Sequence, residues 1–219
     1  MNTETRSRVE LCRIARILFQ RGHNAPGDGN LSLRLTDGRL LCTPSQCHKG
    51  RLKPDVLVEV SVEGEEIFDA RGRRVSSEVA LHRAIYRRRD DIHAIVHAHS
   101  PLTVALTVAG HSLEHPVVPE AIQQLGGVPT LPYRSPSSHE LAALAAACAG
   151  THNAFVLERH GPVALGRSLE EAYQRLEVIE HTAKITLAAL SIGSAEPLPE
   201  SEAEKLREEA RRQGVLPPL

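Results

Sequence analysis

The chain has 219 residues, 41% of them hydrophobic, and a formal net charge of −1 at pH 7. That length suits one substantial α/β domain or two small ones, and a domain of this size can bury its core without disulfide staples. The near-neutral balance argues against nucleic acid or a membrane surface as the main partner. Aromatics are 3% with no Trp, so stacking platforms for bases are scarce. No basic leader with an apolar core opens the chain and no apolar run approaches a membrane span, so a cytoplasmic enzyme is expected.

Val9, Ile14, Ile17 and Leu18 recur at helical spacing and predict a helix over 4–21, ended by Gly22. Leu31, Leu33 and Leu35 alternate as in a strand, Asp37-Gly38 is a hairpin signal, and 39–43 is the return strand. A loop follows over 43–50, then a strand over 55–61 turned by Glu63-Gly64. Ser76, Ser77 and Glu78 read as the cap and opening of a helix over 79–88. A strand carrying His97 and His99 comes next, then a helix over 102–109. Residues 121–125 are ambiguous, 129–133 extended, and 139–149 an Ala-rich helix. Strands over 155–157 and 163–165 flank a turn at His160-Gly161. A long helix over 169–191 has Ser168 as its cap and Glu171 at capping-box spacing. The tail, 195–219, carries a charged helix over 200–212 whose ionic partners are expected to be water and itself. With no repeat or linker, 1–219 reads as one domain.

The chemistry is concentrated in few places. On a strand, alternate side chains share a face, so the imidazoles of His97 and His99 point the same way and can grip one metal ion. His160 is the third candidate, and three neutral imidazoles leave a tetrahedral Zn²⁺ one open position. Hydroxyls, an Asn amide and a helix start (Asn30, Ser45, Ser76 and Ser77) suit an anion cradle, with Glu78 able to carry a proton. Taken singly, each has a plain use as a strand or turn histidine, a cap, a turn residue or a dipole-matching acid. Lys49 could approach a phosphate as a point charge, although its place in a loop favours a solvated side chain. Arg159 is expected to face away from His160, and His93 to line the strand face one pleat beyond the site. The four cysteines, Cys12, Cys42, Cys47 and Cys148, lack paired spacing and read as reduced thiols.

Taken in order, GDGNLSLR from Gly27, CTPSQCHKG from Cys42, SSEVALHRAIY from Ser76, IVHAHSP from Ile95, the segment from Pro119 to Tyr133 and LERHGPVALGRSLEEAYQRLE from Leu157 resemble the class II aldolase/adducin family. The resemblance implies a single α/β domain with a central, mainly antiparallel sheet flanked by helices, assembled as a homotetramer with intersubunit active sites. It implies that His97, His99 and His160 bind Zn²⁺, with Mn²⁺ or Co²⁺ as substitutes. It gives Glu78 the substrate proton, and Asn30, Ser45, Ser76 and Ser77 the phosphate of a sugar phosphate. The implied reaction is aldol cleavage or formation of a C–C bond in a ketose phosphate through a Zn-stabilised enediolate. Two departures bear on this. Gln46 stands where the phosphate loop commonly carries Gly, and no Tyr follows Tyr173 where the fuculose-phosphate aldolases use one near the C-terminus. Glu120 is the local candidate for the missing acid. The alternatives are a dehydratase, 4-epimerase or decarboxylase-type lyase on the same fold, or a non-catalytic adducin-like scaffold.

Overall fold

A computed structural model describes residues 3–64 and 72–217; the last two residues of the predicted tail, 218–219, lie outside them. In chain order the elements are α1 (Thr3–Gln20), β1 (Asn30–Arg34), β2 (Leu40–Cys42), β3 (Val58–Val60), α2 (Val79–Arg88), β4 (Ala94–His97), α3 (Pro101–Val108), α4 (Pro119–Leu125), β5 (Thr130–Leu131), α5 (His139–Ala149), β6 (Ala154–Leu157), β7 (Gly161–Gly166), α6 (Leu169–Ile192) and α7 (Glu200–Arg212). The strands form one sheet in the order β3-β2-β1-β4-β7-β6-β5. Every pairing is antiparallel except β5 with β6.

Alternation along the strands divides the core between two faces. In β4, Ala94 and Val96 join Leu31, Leu41 and Ala164 beneath Leu11, Ile14 and Leu18 of α1 and Leu176 of α6. Ile95 faces the other way, with Val163, Leu165 and Phe155, beneath Leu81 and Ile85 of α2 and Leu141 of α5. Both faces of β4 and β7 are therefore covered, and both strands are buried throughout. A third cluster joins Leu106 of α3, Leu125 of α4 and Ile179 of α6.

Several predicted elements are trimmed. The strand expected over 55–61 starts only at Val58, because Pro54 opens a 3-10 turn, Pro54–Val56, whose proline φ suits a turn rather than a ladder. The hairpin turn holds Gly38 at φ +86°. Ser168 accepts from the amide of Glu171 (3.1 Å), but the Glu171 carboxylate takes the amide of Arg167 (2.6 Å), not that of the cap residue, so the capping box closes one residue early. The tail does more than solvate itself. α7 packs on α4, Arg207 Nε donates to the Gly126 carbonyl (2.8 Å), and Leu216 is buried against Gly126.

Candidate metal centre

The sheet register brings the chemistry to one end. Asn30, first residue of β1, pairs with His97, last residue of β4, and His97 pairs in turn with Val163 of β7. His160 immediately precedes β7, so it arrives at the same edge. His99 lies beyond the end of β4, yet its ring stands beside that of His97 (centroids 5.1 Å) and that of His160 (4.6 Å). Glu78 occupies the N-cap position of α2, and neither serine caps that helix. Instead Ser76 Oγ accepts from the Glu78 amide (3.3 Å), and the Glu78 carboxylate turns inward to accept from Asn30 Nδ2 (2.7 Å).

One donor atom from each of Glu78, His97, His99 and His160 lies within 4.8 Å of the others. His97 Nε2 is 3.4 Å from His160 Nε2 and 3.5 Å from Glu78 Oε2, and His160 Nε2 is 3.5 Å from Glu78 Oε1. Donors held about 2.1 Å from a tetrahedral ion stand about 3.4 Å apart, so these edges match a metal polyhedron. The hydrogen bonding agrees. His97 Nδ1 donates to the Pro162 carbonyl (2.9 Å), which leaves Nε2 bare toward the cluster. His99 Nε2 and Glu78 Oε1 are buried with no hydrogen-bond partner among the described residues. Burial, then the neighbouring His160, holds the His97 pKa well below the usual range. Burial, then His97 and His160, brings His99 down to about 4. Both rings are neutral at pH 7, the form that ligates. The residues present therefore fit a divalent cation.

Around this cluster lie residues that the sequence did not single out. Asp28 Oδ2 approaches His99 Nδ1 (3.5 Å), and Asn24 Oδ1 accepts from the His99 amide (3.0 Å), so the segment before Asn30 braces His99. Asp28 stands two residues before Asn30 in the same glycine-rich motif, and that proximity was the available signal. Gly161, at φ +138°, lets the His160 turn press against the His97–His99 segment, since a Cβ there would sit 2.1 Å from the Ala98 carbonyl oxygen.

The anion-cradle residues gather on adjacent segments. Pro44 bridges to Val75, Ser45 N donates to Arg74 O (2.9 Å) and Ser76 N to Thr43 O (3.3 Å), which sets the Ser45–Gln46 turn beside Ser76 and Ser77. Gln46 adopts φ +52°, so the backbone keeps the left-handed turn that Gly would favour while carrying a long side chain. Two expectations fail, and Glu120 stands apart from the cluster within one chain. Glu120 is exposed on the first turn of α4, a helix packed on α6 and α7, and is not among the clustered donors. Arg159, at φ +59°, lines an open depression of about 570 Å³ together with His99 and His160, because the turn rotates it back toward them. His93 is exposed and lines a separate depression with Thr3 and Leu33, since β4 begins only after it. Among the described residues no helix is long and apolar enough to cross a membrane.

Known proteins resemble this chain in sequence and fold. The family model for the class II aldolase and adducin N-terminal domain matches residues 9–187. The 3-oxo-tetronate 4-phosphate decarboxylase of Escherichia coli K12 is 39% identical over 182 residues, covering 81% of this chain and 84% of the relative. The L-fuculose phosphate aldolase of Methanocaldococcus jannaschii is 33% identical, covering 84% of this chain and 97% of its own. The crystal structure of YgbL from Escherichia coli superposes with a TM-score of 0.86 at 36% identity, over 94% of this chain and all of that one. With the sheet, the Glu/His₃ cluster and the family model in agreement along most of its length, the chain belongs to the class II aldolase/adducin family.

Proposed function

We propose that this chain is a metal-dependent lyase that decarboxylates a short 3-oxo sugar-acid phosphate. The observation that carries the reading is the Glu78–His97–His99–His160 cluster with a single inward carboxylate, in a chain 39% identical to a 3-oxo-tetronate 4-phosphate decarboxylase. His97, His99 and His160, with Glu78 in the resting state, would hold the ion, and their donor chemistry suits Zn²⁺ best, with Mn²⁺ or Co²⁺ as substitutes. A divalent cation bound there supplies Lewis-acid polarisation of the substrate's keto oxygen.

The remaining work falls to side chains. In a 3-oxo acid the carboxylate sits one carbon from the ketone, so the bond between C1 and C2 breaks with its electron pair left on C2. The carboxylate departs as CO₂, and Glu78 delivers one proton to C2, giving a three-carbon ketose phosphate. Asn30 holds Glu78 in line through its amide. Ser45, Gln46, Ser76 and Ser77 orient the phosphate end. Carbon dioxide leaves without needing a proton, so one carrier suffices. Aldol cleavage leaves the same electron pair but must also strip a proton from the hydroxyl that becomes the aldehyde. A reaction that needs one carrier matches the single carboxylate among the clustered donors, Glu78. Aldolase activity on a ketose phosphate is the second reading, supported by the 33% identity to an L-fuculose phosphate aldolase. A cytoplasmic homotetramer suits both, with Val108 of α3 half-exposed on the rim of the depression beside His99 and His160.

The test is a product analysis with metal-loaded enzyme in D₂O. CO₂ and a ketose phosphate carrying one deuterium at the former C2 are expected from 3-oxo-tetronate 4-phosphate. Glu78→Gln should lower kcat by about 10²-fold or more. Faster release of an aldehyde from ketose 1-phosphates than of CO₂ from the oxo acid would overturn the decarboxylase assignment.

A further inference from the structure

Lys49 does not behave as a loop lysine. It opens a 3-10 turn, Lys49–Arg51, and is only 1% exposed, among the largest fully buried side chains of the protein. The reason is local packing. The Phe19 ring stacks at a tilt on His48 (centroids 4.7 Å) and lies against Gly50, which closes the segment onto α1. The Lys49 ammonium donates to one neutral acceptor, the Cys47 carbonyl (3.2 Å), and makes no ion pair among the described residues. A buried cation is costly unless an anion compensates it, and an ammonium has three hydrogens to place.

Its position says where that anion belongs. The Lys49 amide donates to the Pro26 carbonyl (3.2 Å), tying it to the segment that runs into Asp28 and Asn30. Its ammonium grips the carbonyl of Cys47, the residue after the Ser45–Gln46 turn. The charge thus sits directly behind the proposed anion cradle, and it is near enough to His97 to add to the cost of protonating that ring. We propose that Lys49 is a positioning residue, the buried counter-charge that draws the substrate's phosphate to the Ser45–Gln46 turn and pins that turn through Cys47. This rests on reading the site as one for a sugar-acid phosphate. Between the two anions of such a substrate, phosphate is the one assigned. A cation beside the carboxylate would stabilise the charge that decarboxylation must disperse, and so slow the reaction.

The experiment measures inorganic phosphate binding by calorimetry and by thermal protection, on metal-loaded wild type, Lys49→Met and Lys49→Gln. Metal content of each is checked by elemental analysis. Phosphate affinity should fall about tenfold or more in both variants. Metal content should be unchanged, and Lys49→Met without phosphate should be at least as stable as wild type, since it removes an uncompensated charge. Equal phosphate affinity in wild type and variants, or no phosphate binding by wild type, overturns the proposal. So does loss of metal or stability in both variants, which would make Lys49 a structural strut. Wild type that releases no CO₂ from the oxo acid, while phosphate still separates it from the variants, removes the reaction and leaves the role of Lys49 standing.

Discussion

Gly161→Ala should damage the metal centre without touching a ligand. The glycine holds φ +138°, and a Cβ there would lie 2.1 Å from the Ala98 carbonyl oxygen and 3.0 Å from the His99 Cα. The backbone conformation alone costs an L-residue about 1–3 kcal/mol. The first contact is also more than about 1 Å inside ordinary C···O separation, and overpacking of that kind adds about 1–3 kcal/mol. The opposing atom is backbone, so relief requires the His160 turn and the His97–His99 segment to part. Destabilisation of roughly 2–6 kcal/mol follows from these two terms. Parting the segments also spreads the 3.4 Å separation of His97 and His160, so metal affinity should fall by about 10–100-fold, as when supporting contacts of a site are lost. Urea unfolding of metal-free protein measures the first effect, and competition with a chromophoric chelator the second. Gly38→Ala is the control. At φ +86° with no atom within 4 Å of the added Cβ, it should cost about 1–2 kcal/mol and leave metal affinity alone. Wild-type metal affinity in Gly161→Ala would show that the close approach does not hold the histidines in place.

Two further outcomes concern the cluster and the buried histidine on α2 near it. Removing metal with a chelator should lower the stability of wild type by about 3 kcal/mol relative to protein at a free metal concentration 100 times its Kd. His97→Ala should show a much smaller difference, and equal melting curves for wild type with and without chelator would contradict the fit of the site. Buried His82, with Ser32 Oγ 2.6 Å from Nδ1, has its pKa lowered from 6.5 to about 4, chiefly by burial. A lowered folded pKa means stability is held above about pH 6.5 and lost as the pH falls toward 4, while the unfolded chain takes up protons. The His82 share is about 3 kcal/mol. Metal-free His82→Asn should therefore lose stability less steeply across that window, and a slope identical to wild type would exclude His82 as a contributor.

What could be read from the sequence depended on whether a residue's role is local or tertiary. His97, His160 and Glu78 stand in motifs with strand, turn and helix-start spacing, so their elements are legible in advance, whereas His99 lies beyond the strand that its spacing predicts. Asn30 was legible for the same reason, although its partner, Glu78, was not: that bond spans 48 residues and depends on the pairing of β1 with β4. The helix start was misread because Ser-Ser-Glu looks like a cap sequence, whereas the Glu78 carboxylate is drawn away by Asn30. Arg159 was placed by strand alternation, but its left-handed φ breaks alternation at that residue. Lys49 was taken for a solvated loop residue because nothing local reports that Phe19, thirty positions earlier, folds over its neighbours. Glu120 lies in a segment with weak periodicity, and α4 leaves it exposed on its first turn.

The comparison between decarboxylation and aldol cleavage also turns on these particulars. Both reactions leave an electron pair on the carbon beside a ketone, so a Glu/His₃ centre serves either, and the ligand set cannot separate them. Separation must come from how many protons the protein can move and from the shape at the two ends of the substrate. On the first count, Glu78 is the one carboxylate among the clustered donors of the described residues, with Asp28 3.5 Å from His99 at the edge, and Tyr173, the last tyrosine, lies on α6. On the second, Gln46 keeps the backbone turn that a glycine would make, at a cost of about 1–2 kcal/mol for a left-handed L-residue, and adds an exposed amide beside Ser45. An unstrained glycine would serve a phosphate through its backbone equally well, so the side chain is what the strain retains. Its carboxamide is exposed beside Ser45, where it can donate to a phosphate oxygen.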